Sequence, residues 1–303
     1  MTLLEFTSKY ATVEDCLRHL EATRWKDGEF CPRCGSMEKI YHYSDGRRHR
    51  CAACKRVFRI TTGTIFSDSP LKLLPKWFAA VYLVTEHAKG ISSVQLARDI
   101  GVTQKTAWHM IHRIQNTAKL VNEGKVLSGE VEIDETYIGG KEKNKHADKR
   151  TPGTQGAGSA KTKAVAFGIK ERGGMVQAFQ VRAATPQEVT PHVIRHVALG
   201  SHVSADESTA YNSLEPFYNV ERVNHGRKEW RRGRASTNAI ESAWAIVKRT
   251  YMGTHHWWSI KHTQRYLDGC TFRMNLEPGD HADSLLSLGM KPGAALPYRE
   301  LVK

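Results

Sequence analysis

The chain has 303 residues, a formal net charge of +14 and 25% charged residues. That length allows two or three domains with a sizeable core, and that charge favours a polyanionic partner. No run of about 18 apolar residues occurs, which argues against a membrane span. The start, Met1-Thr2-Leu3-Leu4-Glu5-Phe6, lacks the basic n-region and apolar core of a secretory signal, so the cytoplasm is the expected compartment.

Residues 1–62 read as an N-terminal segment and a metal ribbon. Four of the six cysteines form two C-x-x-C pairs, Cys31-Pro32-Arg33-Cys34 and Cys51-Ala52-Ala53-Cys54. Two pairs at this separation suit one tetrahedral Zn²⁺ ion, each pair on a tight knuckle and the intervening segment folded as a hairpin. Gly35 and the alternating stretches Tyr41-His42-Tyr43 and Val57-Phe58-Arg59-Ile60 fit that arrangement. Disulfide pairing is the competing reading, and a cytosolic setting disfavours it. Cys16 and Cys270 stand apart and are expected to be buried or inert. Arg33, Lys39, Arg47, Arg48, Arg50, Lys55, Arg56 and Arg59 give the ribbon a basic surface, suited to nucleic acid or to a protein partner.

Residues 70–122 read as helical. Apolar residues recur at helical spacing from Leu71 to His87, with Pro75 near the start. Ile91 to Val102 then leads across Gly101 into a second helix, for which Thr103 is a suitable N-cap. Small Ala97 permits close packing and Val102 can plug the turn. This is the pattern of a helix-turn-helix in which Gln104, Lys105 and His109 can face a groove. Plain helical scaffolding has the same appearance, and the basic composition favours the binding reading.

From Val126 to Asn275 strands and helices alternate. Leu127, Gly129, Val131 and Ile133 alternate with Ser128, Glu130, Glu132 and Asp134, so a strand places Asp134 opposite the apolar set. Lys141 to Lys163 is a Gly-, Lys- and Thr-rich loop with seven Lys/Arg against Glu142 and Asp148, either a phosphate-touching segment or a solvated insertion. Strands are predicted over Ala164–Ile169 and Met175–Val181, joined by Arg172-Gly173-Gly174. Thr185-Pro186-Gln187-Glu188 has the form of a capping box opening a helix to about Leu199. His202 to Asp206 is a short strand ending on an acid, and Tyr218 to Val223 a fifth. The order predicts an α/β domain, a mixed sheet flanked by helices. Residues 276–303, with Pro278, Pro292 and Pro297, read as a loosely ordered C-terminal tail.

Ser236 to Arg249 reads as a helix that buries Ile240, Trp244 and Val247 and leaves Asn238, Glu241, Ala245 and Lys248 on the other side. Asp134, Asp206 and Glu241 can converge if the first and fourth strands are sheet neighbours. Converging carboxylates need cations, and their hard oxygens suit Mg²⁺ or Mn²⁺. Two such ions can activate an attacking oxygen and stabilise the leaving one in phosphoryl transfer. Glu135 can replace Asp134 as a ligand, and Glu207 can replace Asp206. Arg222, Arg227, Lys228, Arg231, Arg232 and Arg234 form a candidate phosphate-binding strip ahead of Glu241.

Glu132-Ile133-Asp134-Glu135-Thr136-Tyr137-Ile138-Gly139-Gly140, Ser204-Ala205-Asp206, and Thr237-Asn238-Ala239-Ile240-Glu241 followed by Trp244 and Lys248 resemble the catalytic blocks of DDE transposases of bacterial insertion sequences. The subgroup resembled has an N-terminal zinc ribbon and an RNase H-like core. Tyr266-Leu267-Asp268 and Phe272-Arg273-Met274-Asn275 resemble its C-terminal block, so the likeness runs from about Phe6 to Asn275. The resemblance implies that Asp134, Asp206 and Glu241 bind two Mg²⁺ (or Mn²⁺) ions and that Lys248 contacts DNA. Some members of such families carry Asn as the third residue, which makes Asn238 an alternative to Glu241 and otherwise an outer ligand.

The implied reaction is cleavage at the element's ends to release a 3′-hydroxyl, followed by attack of that hydroxyl on target DNA. The implied partners are transposon ends, target DNA and further copies of the chain. Two other readings remain open: a non-catalytic, sequence-specific DNA-binding regulator, and an RNase H-like nuclease that cuts without joining.

Overall fold

A computed structural model describes residues 1–140, 144–150, 162–227, 229, 231–277, 279 and 281–302. They divide into two compact units, Met1–Val121 with Leu276–Lys303, and Asn122–Asn275.

The first unit opens with α1 (Leu3–Lys9) and α2 (Val13–Arg24), each started by a capping box, Thr2 with Glu5 and Thr12 with Asp15. These reciprocal bonds satisfy amide groups that a helix start leaves unpaired. Next come three antiparallel strands, β1 (Ile40–His42), β2 (His49–Cys51) and β3 (Val57–Phe58). Three helices follow: α3 (Leu74–Glu86), α4 (Ser93–Ile100) and α5 (Gln104–Ala118). The turn between α4 and α5 works as the sequence suggests. Gly101 takes the left-handed conformation at φ 62° and Thr103 caps α5 through the Thr106 amide; a side chain at Gly101 would be strained there.

The C-terminal segment departs from the expected loose tail. Although the whole second unit separates it in sequence from α5, it forms α9 (His281–Gly289) and α10 (Tyr298–Leu301), and buries Ala282, Leu285, Leu286, Ala294 and Leu301. Helix α9 packs on α3 and α5. The proline signal was real but local: Pro297 is the N-cap of α10 rather than a mark of disorder.

The second unit is built on β4 (Glu130–Ile138), β5 (Ala164–Glu171), β6 (Val176–Val181), β7 (His202–Ala205) and β8 (Asn219–Arg222). Their spatial order is β6-β5-β4-β7-β8. The first three are antiparallel, while β7 runs parallel to β4 and β8 parallel to β7. This is the expected RNase H-like mixed sheet, with the opening strand in the centre. A short ribbon, β9 (Arg231–Arg232) with β10 (Ala235–Ser236), precedes α7 (Asn238–Thr250), and α8 (Thr263–Asn275) ends the unit.

Period-two alternation splits β4 between two apolar layers. Val131 and Ile133 pack with Phe167, Tyr211 and α6 (Pro186–His196) on one face. Ile138 joins Ile240, Trp244, Val247 and Leu267 on the other. Helix α6 begins at Pro186 as expected, but the capping box does not form. Thr185 makes no side-chain cap bond, and the Glu188 carboxylate, which would reach back to the cap, instead accepts from Arg182 Nε at 2.8 Å.

Candidate active site and metal centre

Sheet register brings the first two acids together. Glu130, Val131 and Glu132 of β4 stand opposite His202, Val203 and Ser204 of β7 in parallel pairing. Two residues further along the same register, Asp134 is matched by Asp206, just beyond the end of β7. The carboxyl ends of parallel strands are the usual place for a site in an open sheet. Carboxylate oxygens of Asp134, Glu135 and Asp206 lie within 4.8 Å of one another. The residue that completes this close group is therefore Glu135, the alternative ligand to Asp134, rather than Glu241.

Each acid is held by its own contact. Asp206 accepts the Ser208 amide at 2.9 Å. The hydroxyl of Tyr211, a fully buried residue, donates to Glu135. Glu241 lies on the half-buried side of α7, and its Oε1 accepts the Thr237 hydroxyl at 3.0 Å. Glu241 is also near enough to push on the ionisation of Asp134. Burial, then the charges of Glu135 and Asp206, and last that of Glu241 raise the Asp134 carboxyl to about 8. Burial likewise raises Glu135, against the Tyr211 hydrogen bond.

Carboxyls that resist ionisation because they are buried and crowd one another are a fitting donor set for a divalent cation. Two oxygens on one octahedral Mg²⁺ stand about 2.9–4.2 Å apart for metal–oxygen distances near 2.1 Å. The observed spacing needs only small side-chain movements to meet that range.

Helix α7 reaches the site because β5 makes room for it. Gly168 pairs with Asp134 across the sheet, and a Cβ there would come within 2.5 Å of Trp244 and 2.8 Å of Ile240. The start of α7 is held by Glu132, which sequence reading left as one more polar-face residue. Glu132 is 1% exposed. Its Oε2 accepts the amides of Ala239 at 2.8 Å and Ile240 at 3.1 Å, and its Oε1 meets Arg172 at 3.1 Å. The available signal was its place two residues before Asp134, on a face that α7 later covers.

Asn238 and Lys248 are exposed on α7. The basic strip is only partly open. Arg222 is bound to Asn212 and Glu215, both at 2.8 Å, and Arg234 to Glu130 at 3.2 Å. Arg227, Arg231 and Arg232 are exposed. Lys228 lies outside the described residues, as does most of the Lys141–Lys163 loop.

In the first unit all cysteines are free thiols, which removes the disulfide alternative. Sγ atoms of Cys31 and Cys54 are 3.7 Å apart, and those of Cys34 and Cys51 3.8 Å. A tetrahedron with zinc–sulfur bonds of about 2.3 Å has edges near 3.8 Å, so the four thiols fit one structural zinc ion. Each knuckle closes the same way. Gly35 donates its amide to the Cys31 carbonyl at 2.9 Å, and Lys55 to that of Cys51 at 3.0 Å. Both residues are left-handed, at φ 75° and 60°.

Gln104 and Lys105 are exposed at the start of α5. Gln104 donates to Ser93 Oγ at 2.8 Å, and the Lys105 ammonium sits 5.0 Å from the centre of the Tyr298 ring. His109 does not face outward. It turns toward the C-terminal segment, with Nε2 3.4 Å from the Leu296 carbonyl and its ring edge-on to Tyr298. Among the described residues no helix is long and apolar enough to cross a membrane.

Residues 126–275 match a family described as ISXO2-like transposase domain, and residues 12–57 match one described as transposase zinc-ribbon domain. A relative described as an uncharacterized protein in transposable element ISH50 of Halobacterium salinarum is 30% identical over 276 residues, covering 87% of this chain and 92% of the relative. The crystal structure of a pre-cleavage Mos1 transpososome aligns over 96% of this chain and 98% of its own, at 11% identity and a TM-score of 0.20, a likeness too small to inform fold or activity.

Proposed function

The chain belongs to the ISXO2-like transposases of insertion sequences, and on that premise we propose that it cuts DNA at the ends of its element and joins the freed 3′-hydroxyl to target DNA. In this reading Asp134, Asp206 and Glu241 are the catalytic carboxylates. The observation that carries it is the meeting of Asp134, midway along β4, with Asp206, just past the end of the parallel neighbour β7, with α7 packed across β4.

Two Mg²⁺ or Mn²⁺ ions held there supply charge neutralisation and in-line alignment for phosphoryl transfer. The protein's own contribution is position. Asp134 and Asp206 offer oxygens at the sheet end, the Thr237 hydroxyl orients Glu241, and the Tyr211 hydroxyl keeps Glu135 beside them. Asn238, one turn before Glu241, acts as an outer contact. Lys248, about two turns after it, meets a phosphate of the DNA end. Arg227, Lys228, Arg231 and Arg232 extend that phosphate track, while Gln104 and Lys105 at the start of α5 reach a groove. Cys31, Cys34, Cys51 and Cys54 hold the structural zinc. The working assembly pairs two DNA ends on more than one copy of the chain, in the cytoplasm.

The test is strand transfer with purified protein, Mg²⁺ and labelled DNA carrying the element's ends. It is run beside Asp134→Ala, Asp206→Ala, Glu241→Ala and Asn238→Ala. Joined product should fall by about 10³-fold or more in the three acid variants, a magnitude common for groups that act as one unit, with DNA binding kept. Cleavage without joining would leave a nuclease. Binding with no metal-dependent product would leave a regulator. Loss in Asn238→Ala with Glu241→Ala active would move the third ligand to Asn238.

A further inference from the structure

Glu132 is a nearly inaccessible carboxylate in a strand whose catalytic candidate lies two residues on. Residues i and i+2 of a strand share a face, so Glu132 and Asp134 both look toward α7. One takes the helix's first free amides. The other meets the charge of Glu241, the next residue in the same first turn. A carboxylate at a helix start is favoured by the unpaired amides and by the helix dipole. Its burial would be costly if it stood alone, but the Arg172 guanidinium at 3.1 Å supplies the counter-charge. The same guanidinium also binds Glu130 and, at 3.2 Å, the carbonyl of Arg234. It thereby ties β4 to the β9–β10 ribbon that leads into α7.

We infer that Glu132, with Arg172 as its counter-ion, is a positioning residue that fixes the start of α7 against β4 and so sets the distance from Glu241 to Asp134 and Asp206. This rests on the reading of Glu241 as a ligand. The linkage runs from Glu132 through the Ala239 and Ile240 amides into the first turn of α7, where Thr237 holds the Glu241 carboxylate. Gly168 allows the approach, and Glu132 fixes where along the strand the helix begins. A shift of the helix by part of a turn would leave Glu241 facing the wrong part of the site while Ile240 and Trp244 could still find apolar neighbours. A carboxylate that bonds two particular amides excludes such slippage in a way that apolar packing does not.

The experiment compares the whole chain with Glu132→Gln, Glu132→Asp and Glu241→Gln. Three things are measured: hydrogen exchange at the Ala239 and Ile240 amides without metal, Mn²⁺ affinity from the paramagnetic resonance of free Mn²⁺, and strand transfer across a Mn²⁺ titration. In both Glu132 variants the two amides should exchange roughly tenfold faster or more, as expected for a lost bond to a charged group. The Mn²⁺ concentration for half-saturation should rise about tenfold, while the rate at saturating Mn²⁺ stays within about threefold of the parent. Glu241→Gln should weaken Mn²⁺ without loosening the amides.

Unchanged amide exchange would overturn the inference, because Glu132 would not be holding the helix. Faster exchange with unchanged Mn²⁺ affinity, while Glu241→Gln weakens Mn²⁺, would overturn the inference alone. Mn²⁺ affinity untouched in Glu241→Gln would remove the ligand reading and the inference with it. Loss of cooperative melting in both Glu132 variants would make Glu132 a folding residue and overturn its positioning role.

Discussion

In the ribbon, all four candidate ligand atoms come from two short turns within residues 31–54, and their spacing already matches a zinc tetrahedron. In the second unit, the close acids come from β4 and from the residue after β7, with Glu241 of α7 beside them, and they are brought together by a fold that stands on its own core. The thiol cluster has little apolar support, since Cys31, Cys51 and Phe58 are the buried members of its cluster. The carboxylate cluster sits between two extensive apolar layers. The contrast separates two uses of a cation. The contrast predicts that the ribbon needs its ion to fold, whereas the sheet folds without one and holds acids that an ion then relieves.

The largest test of that contrast is Cys51→Ala. Structural zinc contributes on the order of 10 kcal/mol to small ribbons, so this variant should lose zinc and ribbon structure together, read by metal analysis and amide exchange. The melting of residues 122–275 should stay unchanged. Next is Gly168→Ala. The added Cβ meets Trp244 at 2.5 Å, which should cost about 1–3 kcal/mol as overpacking. It should lower both the melting temperature of the second unit and its strand-transfer rate, with zinc content untouched.

A third test uses pH. Without metal, the Asp134 carboxyl is raised from its ordinary 3.8 to about 8. Over that window the folded chain binds the proton more tightly than the unfolded chain does. The stability it contributes is therefore complete below about pH 4 and is lost as pH rises through about 8. Metal-free melts should accordingly weaken from pH 5 to pH 8, and saturating Mg²⁺ should flatten the trend. Asp134→Asn should also flatten it, raise metal-free stability at pH 8 by roughly 1–3 kcal/mol, and abolish the response to Mg²⁺.

The smallest expected effect lies at the knuckles. Lys55 holds a left-handed conformation that costs a non-glycine residue about 1–2 kcal/mol. Lys55→Gly should thus make zinc harder to remove by up to about 1 kcal/mol, and Gly35→Ala should make it easier, both read by chelator competition.

The same contrast explains what could be read in the sequence. Four cysteines in two short turns carry their geometry in their spacing, because the knuckle is local. Asp134 and Asp206 were legible because each follows an apolar strand segment, and the parallel register of β4 with β7 carries both to the same level of the sheet, although β4 itself runs on to Ile138. Glu132 was not. Alternation marks it as polar, and only the later arrival of α7 on that face makes it buried and connected. Tyr211 gave no signal either, since its partnership with Glu135 depends on how the segment after β7 packs. His109 was misread for the same reason, as the carbonyl and ring it meets belong to the far end of the chain. Thr185 and Glu188 had the spacing of a cap, but Arg182 offered the glutamate a charged partner.

The chain enters the first unit, leaves it after Val121 and returns to it at Leu276, and this fixes an order of events during synthesis. The ribosome finishes the sheet and its helices before it makes Leu285, Leu286, Ala294 and Leu301, which the first unit buries. Domains fold as their residues emerge. The unit begun first is therefore completed last, and a message broken between codons 276 and 285 yields a chain with a complete sheet domain and an N-terminal unit that lacks Leu285, Leu286, Ala294 and Leu301.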